Sequence, residues 1–343
     1  PLMRVFGATS DILDYSLTYT GITSLGFPFL ILATGGSSLI RADGSPRFSM
    51  FCTLAGAVIN TILDPLFIFG FDMGMAGAAW ATVIGQVVSG FMVIGYLTRF
   101  KTVKLTWKSL GLRPGYCLQV VALGMSPFCN QLAMMVVQIV LNNSLTYYGG
   151  LSDYGSEIPL ACAGIISKVG MIYFAVVIGI AQGLQPIVSF NYGAKKYDRV
   201  KETVKKASMV SLIISLAAFV VFQLFPRQII SIFGSGSEEY FLFAERYFHI
   251  YMFFTFLNWL QCIASNFFTS IGKAIRGVFL SLTRQIIFLL PLILLLPLVM
   301  GIDGIMYAAP AADLIAAILA AVFLKKEFGL MDRESGKEVF AGK

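Results

Sequence analysis

Asn60 and Asp64 are the residues whose types and spacing most directly indicate ion chemistry. They lie four positions apart in an apolar segment, so on a helix their side chains share one face, about 6 Å apart. A carboxylate in hydrocarbon costs about 3 kcal/mol or more, and such acids usually face a cavity and have a partner. We therefore predict that this pair holds a proton or one monovalent cation.

Thr82 is predicted to complete this group. If one helix ends near Gly70 and the next begins near Gly74, Asp64 and Thr82 lie at similar depths, roughly 9 to 12 Å from one membrane surface. Two antiparallel helices then present oxygen ligands at one level. In the alternative interpretation, Asp64 caps or kinks its helix before a proline, and Asn60 and Thr82 hydrogen-bond across the helices as packing residues.

The elements that position these residues are apolar helices. The chain is 57% hydrophobic and 13% charged, with a mean hydropathy of +0.80, whereas soluble domains carry about 25% charged residues. Nine apolar segments are each long enough to cross about 30 Å of hydrocarbon. They are 12–38, 47–70, 75–98, 116–148, 159–190, 205–225, 239–269, 276–300 and 302–324. The sequence predicts an all-α polytopic membrane protein.

The basic residues predict the orientation of these helices. Most of the 25 Lys and Arg residues lie in alternate loops and in the C-terminal tail. By the positive-inside rule, these loops and the C-terminus are expected in the cytoplasm, in a bacterial inner membrane. This topology explains the net charge of +7, so we predict the lipid bilayer as a partner and no nucleic acid.

Signals for metal, redox or catalytic chemistry are weak. The five cysteines form no CxxC pair, and the single histidine, His249, lies in an aromatic run typical of a packing residue. No HExxH or GxSxG motif is present. We predict a protein that is not an enzyme, with no catalytic residues, metal or cofactor.

An internal repeat predicts the domain organisation. The sequences GMAG at 74–77 and GIDG at 301–304 each open a small-residue helix, 227 positions apart. Segments one to three therefore repeat as segments seven to nine, as in two-lobed transporters. Segments four to six lack a counterpart, so three helices are expected before Pro1, giving twelve in two lobes.

The predicted domains follow from this assignment. They are a partial N-lobe at 1–98 (equivalent to helices four to six), a cytoplasmic linker at 99–115, a six-helix C-lobe at 116–326 (helices seven to twelve) and a cytoplasmic tail at 327–343.

Four stretches resemble the multidrug and toxic compound extrusion (MATE) transporters, most nearly their bacterial MepA-like branch. They are LIRADGSPR, INTILDP, MGMAGAAWATVIGQ and GIAQGLQPIVSFNYGAKKYDRVK, the last at 179–201. The resemblance covers essentially the whole chain as the last nine of twelve helices. It implies a monomeric secondary transporter with two lobes around a central cavity. Such a protein exports amphipathic or cationic compounds by alternating access, driven by proton or sodium antiport.

The resemblance also implies roles for individual residues. Asn60, Asp64 and Thr82 look like the N-lobe cation site, whose occupancy would change helix packing and cavity affinity. Relatives also use an acid in the first helix, which this sequence lacks, and segment four reads GMSPFCNQ at 124–131 without the acid found in some relatives. Coupling through the N-lobe is therefore favoured. The alternative is a lipid-linked saccharide flippase of the same superfamily, which would need several basic cavity residues.

Two further polar groups lie within the apolar segments. Gln131, Met134, Gln138 and Asn142 form one stripe on segment four, which either lines a substrate cavity or packs against another helix. Lys168 and Arg284 are cations at membrane depth, and either can pair with Asp313. A structural ion pair in the C-lobe is preferred over a role in transport.

Overall fold

A computed structural model shows a helical protein. The residues it describes are 10–102, 111, 113–233 and 237–341. Within these ranges no β-strand occurs, so the prediction of an all-α polytopic fold is confirmed. The chain divides into two compact units, Pro1–Leu112 and Arg113–Lys343.

Unit 1 is built around one central helix. Its described α-helices are α1 (Ser10–Thr23), α2 (Phe27–Ala42), α3 (Pro46–Pro65) and α4 (Gly74–Leu97). A short 3₁₀ turn joins α1 to α2, and a π-helical turn, Leu66–Gly70, continues α3. Helix α4 packs against the other three. It is therefore the helix that positions residues of α3 within the unit.

Unit 2 contains the longer helices. They are α5 (Pro114–Gly150), α6 (Glu157–Gly193), α7 (Tyr197–Leu224), α8 (Pro226–Phe233), α9 (Glu238–Tyr251), α10 (Thr255–Ser270), α11 (Ala274–Leu282), α12 (Leu290–Met300) and α13 (Ile302–Ala341). A π-helical segment, Thr283–Leu289, joins α11 to α12. Two buried apolar clusters stabilise the unit, and Trp259 of α10 packs against both.

Seven helical segments within the described residues are long and apolar enough to cross a membrane. They are Leu13–Ala42, Pro46–Gly70, Gly74–Leu97, Glu157–Gly193, Tyr197–Leu224, Ala274–Met300 and Ile302–Arg333. The remaining two predicted segments are helical but differ in character. Segment 116–148 forms α5, which carries the polar stripe, and segment 239–269 divides into α9 and α10. The count of nine spans stays a prediction.

The break between α9 and α10 has a local polar cause. The Thr255 hydroxyl donates a hydrogen bond to the Met252 carbonyl at 2.7 Å, which satisfies a carbonyl group at the end of α9. The Tyr173 hydroxyl, from α6, donates to the Thr255 carbonyl at 2.9 Å and contacts the Ser215 hydroxyl at 2.7 Å. These side chains act together with backbone bonds across the break, such as the Thr255 amide to the Met252 carbonyl at 3.2 Å.

The two predicted repeats share backbone geometry. Gly74, the first residue of α4, and Gly301, just before α13, have φ angles of +52° and +60°, a region that residues with a Cβ rarely occupy. A Cβ on Gly77 would lie 2.9 Å from the Phe67 backbone, and one on Gly304 would lie 2.5 Å from the backbone of the preceding helix. Each helix therefore begins in close contact with the chain that leads into it.

Asp43, in the turn between α2 and α3, holds the chain that follows α4 through several hydrogen bonds. Its buried carboxylate accepts hydrogen bonds from the Tyr96 hydroxyl at 2.8 Å, the Lys101 amide at 3.0 Å, and the amide and hydroxyl of Thr102. Burial raises the pKa of Asp43, but these hydrogen bonds outweigh burial and hold the pKa below its ordinary value. The group is therefore ionised at neutral pH.

Glu327 forms a comparable contact in unit 2. This residue of α13 is buried, and its carboxylate accepts from the Lys273 ammonium and, at 2.6 Å, from the Arg276 guanidinium. At the next residue of α13, the Phe328 ring lies 5.7 Å from the Phe267 ring. The segment predicted as a tail from residue 327 thus begins within α13 and packs on unit 2.

We predict that Asp43→Ala releases the segment after α4. The variant leaves the Lys101 and Thr102 amides without their acceptor, so trypsin should cleave after Lys101 several times faster than in wild type. Thr102→Val removes one of the four hydrogen bonds and should have a smaller effect. Because the folded pKa is depressed, the contact is complete above about pH 4 and is lost only below it. Equal cleavage of Asp43→Ala and wild type would contradict this role.

Candidate functional site

The structure brings together the three side chains of the predicted ion site in unit 1. The Asn60 amide Nδ2 lies 3.3 Å from Asp64 Oδ1 and 3.4 Å from Thr82 Oγ1. Asn60 and Asp64 belong to α3 and Thr82 to α4. All three are half-buried. The predicted pairing of an amide, a carboxylate and a hydroxyl across two helices is therefore present.

The hydrogen bonds leave oxygen atoms available in this cluster. The Thr82 hydroxyl donates to the Ala78 carbonyl at 3.0 Å, so its oxygen faces Asn60 as an acceptor. Both contacts of the Asn60 amide are longer than the usual 2.9 to 3.0 Å. No hydrogen bond is described for the second carboxylate oxygen of Asp64. Carboxylate, amide and hydroxyl oxygens suit a proton or a hard cation.

Close contact between the backbones of α3 and α4 positions the cluster. A Cβ on Gly85 would lie 2.6 Å from the Gly56 carbonyl oxygen and 3.2 Å from Asn60 Cβ. The Ser89 hydroxyl donates to the Cys52 carbonyl across the same contact at 3.0 Å. Small residues permit this approach in membrane helices, and hydroxyl groups reinforce it. The sequence alone did not predict this contact, although glycine and serine four positions apart on α4 are its signal.

The backbone changes its winding directly after Asp64. Pro65 has no N–H to continue the helix ladder, and Leu66–Gly70 forms a π-helical turn in which the Phe71 amide donates to the Leu66 carbonyl at 3.0 Å. Such π-helical turns are frequent at functional sites. The predicted role of the Asp64–Pro65 pair in ending regular helix is compatible with its role in the polar cluster.

We predict that Gly85→Ala separates α3 from α4 and weakens the Asn60 to Thr82 contact. The added methyl group meets backbone atoms, and overpacking of this kind costs about 1 to 3 kcal/mol. The midpoint of thermal unfolding should fall. Gly95→Ala is the matched control on the same helix, because its methyl group meets nothing within 4 Å. A Gly85→Ala protein as stable as Gly95→Ala would contradict the role of this contact.

The polar stripe of α5 is exposed in unit 2. Gln131, Met134 and Gln138 line a cavity of about 450 Å³, and the Gln138 amide donates to Asn142 Oδ1 at 2.9 Å. The cavity is also lined by Phe128, Leu132 and Met135. This volume lies within the range of about 300 to 1,000 Å³ typical of small-molecule sites. This exposure is compatible with a cavity lining, and the role of the stripe in a substrate cavity stays a prediction.

The structure pairs one of the two membrane-depth cations with Asp313. The Arg284 guanidinium lies 2.6 Å (Nε) and 2.5 Å (Nη2) from Asp313 Oδ1, and their side chains are 16% and 4% exposed. Asn258 of α10 also hydrogen-bonds to Asp313, a contact that the sequence did not indicate. Lys168 is exposed on α6 and is not part of this pair. The geometry of Arg284 and Asp313 is that of a structural ion pair.

We predict that Arg284 and Asp313 contribute to the free energy of unfolding as a coupled pair. Arg284→Met or Asp313→Asn leaves one buried charge uncompensated, which costs about 3 kcal/mol or more. The double variant Arg284→Met/Asp313→Asn should lose clearly less stability than the sum of the losses of the two single variants. Denaturant unfolding of the four proteins as a double-mutant cycle measures this coupling. Additive losses would contradict the pairing.

Sequence comparisons relate this chain to known proteins. A model of the MatE family matches residues 1–66 and 130–295. The multidrug export protein MepA of Staphylococcus saprophyticus is 26% identical over 321 residues, covering 93% of this chain and 69% of that protein. MepA of Staphylococcus haemolyticus is 25% identical, with the same coverage.

Solved structures share the fold. An outward-facing multidrug resistance MATE family transporter of the MOP superfamily aligns with a TM-score of 0.88 at 20% identity, covering 96% of this chain and 73% of that one. A MATE protein in a bent conformation aligns with a TM-score of 0.86 at 19% identity, covering 98% and 73%. At these identities the likeness establishes the helical architecture.

Proposed function

This chain belongs to the MatE family, and we propose that it is a secondary active transporter that exports amphipathic or cationic compounds by proton- or sodium-coupled antiport. The names of the MepA relatives support multidrug export. The observation that carries the coupling step is the Asn60, Asp64 and Thr82 cluster between two membrane-spanning helices. Under this proposal, the protein lies in a bacterial inner membrane with a cytoplasmic C-terminus and works by alternating access.

The coupling step follows from the shared amide of Asn60. When Asp64 is ionised, the Asn60 amide donates to a charged acceptor on its own helix, which is the stronger of its two hydrogen bonds. Protonation or cation binding neutralises Asp64 and weakens that bond. The Asn60 amide then favours Thr82 on α4. The charge state of Asp64 thereby sets the strength of the Asn60 to Thr82 hydrogen bond between α3 and α4, next to the π-helical turn.

The available driving force is sufficient for export. One monovalent charge that moves through about 100 mV supplies about 2.3 kcal/mol, which corresponds to a concentration ratio of about fiftyfold. The compounds would bind at the stripe of α5, where Met134 and Met135 line the cavity beside two glutamines. Flexible methionine side chains accommodate varied apolar groups, which suits a broad set of substrates.

The flippase alternative has less support. A lipid-linked pyrophosphate needs several basic groups that are free to bind it. Asp313 neutralises Arg284, and among the described residues of the apolar segments in unit 2 the other exposed basic residues, apart from Lys168, lie within about two turns of a segment end. A single lysine does not match the charge of a pyrophosphate.

We predict that Asp64→Asn abolishes coupled export. The full-length protein in vesicles should export a cationic dye under an imposed proton or sodium gradient, and the effective gradient identifies the coupling ion. Asp64→Asn keeps the size of the side chain but cannot change charge, so dye export should fall at least tenfold. Asp72→Asn is the matched control, since Asp72 is exposed in the turn after the same helix.

Each outcome of this experiment is informative. Export by wild type and Asp72→Asn, but not by Asp64→Asn, supports coupling at the cluster. Equal export by all three proteins would show that Asp64 is structural. Absence of export by wild type under both gradients would overturn the proposed function and favour the flippase.

A further inference from the structure

The π-helical segment Thr283–Leu289 interrupts a helical span of unit 2. It lies between α11 and α12, inside the segment Ala274–Met300 that is long and apolar enough to cross a membrane. The Leu290 amide donates to the Gln285 carbonyl, five residues earlier, whereas an α-helix joins residues four apart. Such π-helical insertions are rare and are frequent at functional sites. The backbone groups that they release are satisfied by neighbouring helices.

Side chains from three other helices bind the chain where its winding changes. The Gln261 amide of α10 donates to a carbonyl near the end of α11 at 3.3 Å. The Ser281 hydroxyl donates to Asn130 Oδ1 of α5 at 2.6 Å. Within the segment, Arg284 donates to Asp313 of α13. The start of the π-helical segment is therefore the point at which α5, α10 and α13 each contribute one polar contact.

The contact with α5 adjoins the candidate substrate cavity. Asn130 is followed directly by Gln131, and Gln131 and Phe128 both line the cavity of about 450 Å³. Helix α5 packs against α11 and against the π-helical segment. Asn130 and Ser281 are both half-buried, and their hydrogen bond is at the short end of the usual range. A rotation of α5 caused by a compound at Gln131 therefore moves Asn130 relative to Ser281.

We propose that Asn130 and Ser281 are positioning residues that couple occupancy of the α5 cavity to the winding of the π-helical segment. This inference rests on the proposed export function and specifies how unit 2 responds to a bound compound. The π-helical and α-helical windings are two discrete states of one helix, which coupling between separate sites requires. A change to α-helical winding turns α12 relative to α11 by about 100°, the angle of one residue. A small movement of the cavity wall is thereby converted into a larger movement of α12.

The first measurement is the affinity of the full-length protein for a dye. Rhodamine 6G, an amphipathic cation, is bound to the protein in lipid nanodiscs and followed by fluorescence anisotropy. Asn130→Ala and Ser281→Ala should each raise the Kd about fivefold, the effect of losing one hydrogen bond. The double variant should bind no more weakly than the weaker single variant, because both substitutions remove the same contact. Ser281→Thr retains the hydroxyl group and should bind as wild type does.

The second measurement reports the winding of the segment. Hydrogen/deuterium exchange of the amides at 283–290 should change when the dye binds to wild type, because exchange reports local opening. Ser281→Ala at saturating dye should lose this response. Ser265→Ala is the matched control, since it removes a hydroxyl group that donates to the Gly277 carbonyl at 2.8 Å, between α10 and α11. It should preserve both the affinity and the response. Size-exclusion elution and the midpoint of thermal unfolding check that each variant is folded.

The outcomes separate this proposal from the export function. Coupled losses of affinity in the Asn130 and Ser281 variants, together with loss of the exchange response, support it. Unchanged affinity, additive losses, an exchange response that persists in Ser281→Ala, or equal effects of Ser265→Ala overturn it. If wild type and these variants bind and export the dye equally, the positioning role fails and the export function stands. If wild type neither binds nor exports the dye under a proton or a sodium gradient, the proposed function fails and the positioning role fails with it.

Discussion

The close contact between α3 and α4 at Gly56 and Gly85 is the constraint on which the candidate ion site depends. Asn60 lies one turn after Gly56, and Thr82 lies one turn before Gly85, so the backbone contact brings an amide and a hydroxyl together. Asp64 is then one further turn along α3. A wider separation of the helices would leave a carboxylate in contact with hydrocarbon and without a partner, which is strongly unfavourable. Packing and ion chemistry are thus determined by the same two glycines.

Charged groups at membrane depth differ in how fully their own unit satisfies them. In unit 2, Arg284 and Asp313 neutralise each other in a buried pair, a geometry that stabilises only when both partners are present. Asp64 in unit 1 has one long hydrogen bond from Asn60, and Lys168 in unit 2 is exposed. An ionisable group that lacks a full set of hydrogen-bond partners within its own fold can still bind an ion or a ligand. Asp64 is therefore the residue at which ion coupling is proposed.

The sequence predicted features that depend on local spacing. The helical class follows from hydropathy, and the contact of Asn60 with Asp64 follows from their separation of four residues. Features set by tertiary contacts were not predictable. The split between α9 and α10 involves a hydrogen bond from Tyr173 of another helix. The choice of Arg284 over Lys168 as the partner of Asp313 depends on which face of each helix is buried.

The repeat shows why sequence similarity between the two units is weak. In each predicted repeat, the turn that follows the first helical segment contacts the chain near the end of the third helical segment through an acidic side chain. In unit 1 the acid, Asp43, lies in the turn and binds Lys101 and Thr102. In unit 2 the acid, Glu327, lies on the long helix and binds bases in the turn. The offset of 227 places Glu327 opposite position 100, next to Lys101. In unit 1 the acid accepts from backbone amides and hydroxyl groups, whereas in unit 2 it accepts from basic side chains, so comparison of residue types position by position does not detect the likeness.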